Sequence, residues 1–235
     1  MKLYDELADW WPLMSPPEDY AAEAEPVASL LPVNPTADCP RLLELGAGGG
    51  HLASHLKAQF DMTLVDLSPR MLGQSRRLNS ECRHLTGDMR SLRLEERFDA
   101  VLVADAISHM TTETDLLATM CTARAHLEPG GVALFCPDWT VECFAPGTSM
   151  GGIDGAKRGI RYLEWTQPTI WGTTYQSDLV YLLREADGTR RMVHDRMVLG
   201  IFARETWTQL LIEAGFEEVA IVELSGRDVF QSIAG

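Results

Sequence analysis

Apolar and polar positions along the chain change period several times, and the changes predict alternating strands and helices. Short apolar runs at Arg41–Leu45, Met62–Asp66, Cys82–Leu85, Phe98–Ala104 and Val132–Cys136 read as buried strands. Between them, Gly50–Lys57, Pro69–Leu78 and Glu113–Leu127 carry helical patterning. Ser68-Pro69 offers a cap and first turn to the second helix, and Glu128-Pro129-Gly130-Gly131 stops the third. Strands and helices alternating at this pitch imply crossover units and a parallel sheet.

Beyond Pro137 the pattern shifts. Residues 138–160 are rich in glycine and aperiodic, whereas Tyr162–Trp165, Thr173–Arg184 and Arg191–Leu199 carry β-type residues with a turn at Asp187-Gly188. An antiparallel β insertion is expected there, with Trp165 and Trp171 in its core. Helical pattern returns over Glu205–Ala214, stopped by Gly215, and Val219–Leu224 with Asp228–Ile233 read as a closing hairpin. Residues 1–40 are polar and aromatic, with Tyr4, Trp10, Trp11, Tyr20 and the prolines Pro16, Pro17, Pro32 and Pro35. One or two short helices are expected there. The reading is thus one doubly wound α/β domain: a helical cap over 1–40, a core over 41–137, a β insertion over 138–200, and a C-terminal helix and hairpin over 201–235.

Composition narrows the function. At 235 residues, 46% hydrophobic and 23% charged, the chain suits one globular domain, and no apolar run is long enough to span a bilayer. The opening MKLYDELADWW lacks the apolar core of a signal peptide, so a cytoplasmic location is expected. Five cysteines, an odd number without CxxC spacing, read as reduced packing residues. The remaining histidines, His51, His55, His84, His126 and His194, make no metal-ligand spacing, so no metal is expected. A net charge of −14 opposes a phosphate-binding surface and points away from nucleic acid toward a small-molecule substrate.

The strongest chemical signal is Glu44-Leu45-Gly46-Ala47-Gly48-Gly49-Gly50, an acid and spaced glycines leaving the first strand. Such a turn lets backbone approach a ligand where a Cβ would collide. Asp66 ends the second strand, where a carboxylate can accept both hydroxyls of a ribose. Gly87-Asp88-Met89 follows the third strand, placing an acid for an adenine amino group and an apolar neighbour for the ring. Asp105 and Ala106 follow the fourth. All sit at strand carboxyl ends, where open α/β sheets bind ligands. Gly48-Gly49-Gly50-His51-Leu52-Ala53 formally fits the GxGxxA of a dinucleotide enzyme, but it starts late after the strand. Glu44 has no evident task beside a pyrophosphate, whereas it could serve a cofactor bearing an ammonium group.

The segments LLELGAGGG, VDLSPRML, LTGDMRSL, FDAV and HLEPGGVALF, in this order over residues 41–136, resemble the class I S-adenosylmethionine-dependent methyltransferases. The resemblance implies a Rossmann-like sheet of seven strands with one antiparallel strand near the end. It also implies S-adenosylmethionine as cofactor, with Glu44, Gly46 and Gly48 around the methionine part, Asp66 at the ribose, Asp88 with Met89 at the adenine, and Ala47, Leu67, Met71 and Gly87 among the cofactor-binding residues. Asp105 and Ala106 would complete that crevice. The rest of the chain is similar to the sugar amine N,N-dimethyltransferases, through DYAAEA (19–24), ISHM (107–110), VHDR (193–196) and SGRDVF (225–230).

Methyl transfer from a sulfonium is an in-line displacement, so the enzyme mainly aligns acceptor and methyl. An ammonium acceptor must also lose a proton, and His109, just beyond the fourth strand, is the candidate base. Tyr4 and Tyr20 are expected to close over cofactor or acceptor, and Trp139 to wall the acceptor pocket. Asp138 is placed to hold an acceptor amine or hydroxyl, and Arg227 to pair a phosphate of a nucleotide sugar. Methylation at N, O or C stays open, as do an NAD-dependent oxidoreductase and a noncatalytic cofactor-binding module. Exposed edges of the inserted sheet suggest a homodimer.

Overall fold

A computed structural model describes residues 1–31, 39–170 and 172–235. Pro32, Pro35 and Trp171, named above, lie outside the described residues. In chain order the elements are α1 (Trp11–Met14), α2 (Ala21–Ser29), β1 (Arg41–Leu45), α3 (Ala53–Leu56), β2 (Asp61–Asp66), α4 (Pro69–Leu78), β3 (Arg83–Thr86), β4 (Phe98–Val103), α5 (Glu113–Ala125) and β5 (Leu127–Phe135). There follow β6 (Gly147–Gly151), β7 (Gly159–Pro168), β8 (Thr174–Arg184), β9 (Arg190–Gly200), α6 (Arg204–Glu213), β10 (Phe216–Leu224) and β11 (Arg227–Ala234).

Seven strands form one sheet in the order β10-β11-β5-β4-β1-β2-β3. β11 alone runs against the direction of the other six strands. This is the doubly wound sheet expected. Both of its faces are buried, which is why β1 reads as a nearly continuous apolar run. Leu43, Leu45, Val101, Val103 and Phe135 pack with Met120, Trp207 and Leu211 from α5 and α6. Leu42, Leu64, Leu102 and Leu134 pack on the other face with Val27 and Leu56 from α2 and α3. Strand order reverses between β1 and β4, so a crevice opens where their carboxyl ends diverge.

The inserted strands β6-β7-β8-β9 make a separate antiparallel sheet. Its inner face, including Leu179, Tyr181, Val193 and Leu199, buries Leu3, Leu7 and Trp10 of the N-terminal segment. That segment is pinned between the two sheets. The Leu3 amide donates to Asp195 Oδ2 at 3.1 Å, and Ser68 Oγ donates to the Tyr4 carbonyl at 2.6 Å.

Several expectations need correction. The helix expected over 50–57 shrinks to Ala53–Leu56, because Gly50 sits at φ +71° and the glycine turn runs on past it. The helix expected to reach Leu127 stops at Ala125, and Leu127 already pairs with Phe98 of β4. The proline and glycines that follow lie within the β5 span, beside a register shift in that pairing. Strand β6, GTSMG, was not expected. It has no apolar alternation and exists through its pairing with β7. Trp165 is not core: it lies on the outer face of β7, 58% exposed.

Gly50 also carries a stability prediction. A Cβ there would lie 2.2 Å from Ser75 Oγ and 2.4 Å from Asn79 Nδ2, and both residues are fully buried. Gly50→Ala is expected to cost about 2 kcal/mol from overpacking and the left-handed backbone, measured as a lower denaturant midpoint.

Candidate active site

The turn after β1 is built by backbone. The amides of Gly46 and Ala47 donate to the Val65 carbonyl at 2.8 and 2.9 Å, which ties the turn to the end of β2. Gly46 adopts φ +81°, and a Cβ on it would fall 2.3 Å from the Ala106 Cβ and 2.8 Å from Met89 Cε. Asp66 clamps the same region from the other side. Its Oδ2 accepts from the Gly48 amide at 2.8 Å and its Oδ1 from the Ser68 amide at 2.7 Å. Each oxygen keeps a lone pair for a ligand.

Around this turn opens a cleft of about 1240 Å³. The structure brings to it every site residue named from the sequence: Tyr4, Tyr20, Glu44, Gly46, Ala47, Gly48, Asp66, Leu67, Met71, Gly87, Asp88, Met89, Asp105, Ala106, His109, Asp138, Trp139 and Arg227. Glu44 is 3% exposed, and its Oε2 has no hydrogen-bond partner among the described residues. Burial, then Asp66 and Asp105, push its carboxyl up to about 8. An orphaned buried carboxyl oxygen at the glycine turn fits a ligand ammonium, as the amino-acid end of S-adenosylmethionine requires. Asp88, at the far end, is held below the usual carboxylate range chiefly by its hydrogen bonds from Arg90.

Sequence reasoning passed over Trp11 and His51. Both line the cleft, and both leave a ring nitrogen buried without a hydrogen-bond partner among the described residues, Nε1 and Nδ1 respectively. They flank Gly49, whose missing Cβ would lie 2.9 Å from Trp11 Nε1 and 3.1 Å from His51 Nε2. The place of His51, next to the glycines, was the available signal.

Carboxylates dominate one part of the cleft: Glu23, Asp105, Asp138 and Glu164 face it together with Arg227. Arg227 is engaged by carboxylates of the protein itself. Its guanidinium bonds Glu23 and, at 2.7 Å, Asp105, with Asp138 Oδ1 at 3.8 Å. Asp138 follows β5. Its amide donates to Ser108 Oγ at 3.0 Å, and its Oδ2 accepts from the Tyr175 hydroxyl at 3.2 Å. Trp139 meets Phe144 edge-on at 6.0 Å, and Phe144 packs against Tyr175 at 5.3 Å, which builds an aromatic wall. His109 stands edge-on to Tyr4 at 5.5 Å. Burial, and secondarily the N-terminal ammonium, hold it below the usual imidazole range.

All five cysteines are free, Cys136 is buried, and no metal-binding cluster occurs among the described residues. No described helix is long and apolar enough to cross a membrane.

A family model described as "Methyltransferase domain" matches residues 42–131. The chain is 35% identical over 132 residues to dTDP-3-amino-3,4,6-trideoxy-alpha-D-glucopyranose N,N-dimethyltransferase of Streptomyces venezuelae, a match spanning 55% of each chain. It is 28% identical to dTDP-3-amino-3,6-dideoxy-alpha-D-glucopyranose N,N-dimethyltransferase of Streptomyces fradiae, over 93% of this chain and 86% of the relative. Its structure superimposes with a TM-score of 0.76 and 27% identity on CalS10 with SAM bound, an amino pentose methyltransferase from Micromonospora echinaspora, over 93% and 91% of the two chains. These likenesses remove the oxidoreductase alternative.

Proposed function

We propose that this chain, which belongs to the S-adenosylmethionine-dependent methyltransferases, methylates the amine of an amino sugar. The observation that carries the acceptor class is the charge of the acceptor end. Glu23, Asp105, Asp138 and Glu164 outnumber Arg227 there, and such a wall attracts an ammonium. The acceptors printed in the names of the two Streptomyces relatives are of the same class, amino sugars linked to dTDP.

The cofactor supplies a methyl on a sulfonium, whose displacement leaves a neutral thioether. What remains for the protein is to hold acceptor and cofactor in line, keep water out and manage the acceptor's proton. Tyr4, Tyr20 and Trp139 enclose the meeting point from the N-terminal segment and from the end of β5. His109, named from sequence as the base, is a neutral imidazole with a depressed affinity for protons. It is suited to accept a hydrogen bond from the amine and orient its lone pair.

The test is a product assay with S-adenosylmethionine and matched acceptors: dTDP-linked amino sugars, the free amino sugars, and hydroxyl analogues lacking the amine. Mass gain on the amines alone supports the reading. Methylation of the hydroxyl analogues alone overturns it.

A homodimer belongs to the same proposal. The outer face of the inserted sheet exposes Met150, Leu163, Trp165, Leu182, Met192 and Val198, an apolar surface of the kind that pairs subunits. Sedimentation is expected to give a dimeric mass that Trp165→Glu shifts toward monomer. A concentration-independent monomer in the unaltered protein would sink the idea.

A further inference from the structure

We propose that Asp138 takes the proton that the acceptor ammonium must shed before each methyl transfer, with Tyr175 as the positioning residue that holds its carboxylate toward the cleft. The inference rests on the amine-acceptor reading and assigns its proton step.

The carboxylates at this end are not equivalent. Glu23 and Asp105 are hydrogen-bonded to the Arg227 guanidinium. Glu164 accepts from the hydroxyls of Ser149 and Ser177. Asp138 has only neutral side-chain donors among the described residues, Tyr175 on Oδ2 and the Ser108 hydroxyl beside it, and its Oδ1 stands 3.8 Å from Arg227, beyond hydrogen-bonding distance. Oδ1 is therefore the carboxylate oxygen with room for an acceptor N–H. The side chain is 32% exposed, and that surface opens into the cleft while protein encloses the rest.

Position supports the role as well. Asp138 leaves the carboxyl end of β5, beside β4, whose following turn holds Asp105 and His109. The charged and titratable groups set around it are Asp105 and His109 from that turn, Arg227 from β11, Glu23 from α2, Glu164 from β7, Tyr175 from β8, and Tyr4, Tyr20 and the terminal ammonium from the N-terminal segment. Burial, then Asp105, outweigh Arg227 and push the carboxyl up to about 7. A base of that strength is half ionised near neutrality, where proton transfer from an ammonium is best matched. His109, whose protonated form burial disfavours, is the weaker base.

The step balances simply. An N–H bond of the ammonium breaks, its electron pair stays on nitrogen, and the proton forms an O–H bond at Asp138 Oδ1. The lone pair so freed makes the new N–C bond. The carboxyl returns its proton to water as the cleft empties. A monomethylated product is again an ammonium, so the same group can serve a second transfer.

The experiment measures kcat and kcat/KM against pH for the unaltered protein, Asp138→Asn, Tyr175→Phe and His109→Ala, using an amino sugar that the protein methylates. S-adenosylhomocysteine affinity is measured in parallel. With cofactor kept saturating at every pH, so that Glu44 does not shape the curve, the unaltered profile should rise tenfold per pH unit and flatten near about pH 7, the carboxyl's own titration range. Asp138→Asn should lose about 100-fold in kcat at neutral pH. Its rate should keep climbing toward the pKa of the free amine, with cofactor analogue affinity unchanged. Tyr175→Phe should keep the break but displace it, and His109→Ala should keep it in place. An Asp138→Asn profile that retains both rate and break, or a break lost only in His109→Ala, overturns the assignment alone. Should Asp138→Asn fail to fold, an unmoved break in Tyr175→Phe overturns it. An unaltered protein that methylates hydroxyls and no amine overturns the acceptor reading itself.

Discussion

Replacing Asp66 with alanine is expected to weaken S-adenosylhomocysteine binding by at least about 100-fold, that is by ~2.7 kcal/mol or more. Two losses combine. The carboxylate already accepts from the Gly48 and Ser68 amides, one on each oxygen, and so fixes the glycine turn against the end of β2. On our reading its remaining lone pairs take the two ribose hydroxyls, and each such charge-assisted bond contributes roughly 1.5–3 kcal/mol. Burial alone raises the Asp66 carboxyl, and the backbone donors of Ser68, Gly48 and Leu67 oppose that rise. Asp66→Asn keeps the size and one acceptor oxygen, so it should fall between the unaltered protein and alanine. Calorimetric titration of all three decides the matter. A loss below about fivefold for alanine would remove Asp66 from the ribose site, because a single neutral hydrogen bond already contributes ~1 kcal/mol.

The parts of the fold that could be read from the sequence are those set by local patterns. The β1 segment RLLEL is buried on both faces and so reads as a short apolar run. Ser68 was legible as a cap because its side chain meets the Met71 amide three residues on. The glycine turn and its acids were legible for the same reason: Glu44, Gly46 and Gly48 are neighbours in sequence as well as in space. What was hidden depends on distant pairing. The GTSMG strand has no pattern of its own and is made by β7. Trp165 carries the composition of a core residue, yet the face of β7 it occupies was undecidable without knowing where the N-terminal segment lies. That segment packs only because Leu3, Leu7 and Trp10 meet strands more than 150 residues away, as the Leu3 bond to Asp195 across 192 residues shows.

The same distance effect reshaped the acceptor site. Arg227, seen alone in a turn, offers a phosphate a cation. In the fold it is closed in by Glu23, 204 residues earlier, and Asp105, 122 residues earlier. Its charge is paired within the protein, and carboxylates outnumber it at that end of the cleft. Arg227 thereby ties together three elements, α2, β11 and the turn after β4, beside the cleft.

Cofactor affinity is expected to climb steeply with pH between about 6 and 8, and to become nearly flat over that range in Glu44→Gln. The buried Glu44 carboxyl, pushed up to about 8, is almost wholly protonated in the free protein at the lower end of that range. Docking a cofactor ammonium against it requires the carboxylate, so binding must expel a proton. Affinity then rises by about tenfold per pH unit until the carboxyl ionises by itself. Above that the cofactor's own amino group, with a pKa of about 7.7–8.0, begins to lose its charge and the gain ends. Titrations near neutrality in two buffers of different ionisation heat should show most of one proton released, and none in Glu44→Gln. The sign for stability is opposite. A carboxyl raised in the folded state from 4.5 to about 8 contributes no penalty below the lower value. It destabilises the free protein increasingly as pH rises between the two, by about 3 kcal/mol at neutrality. Glu44→Gln should therefore melt roughly 10 °C higher than the unaltered protein in mildly alkaline buffer while binding the cofactor more weakly. A variant that melts lower and keeps the pH-dependent affinity would show that the Glu44 carboxyl has a partner in the free protein, and that the ammonium docks elsewhere.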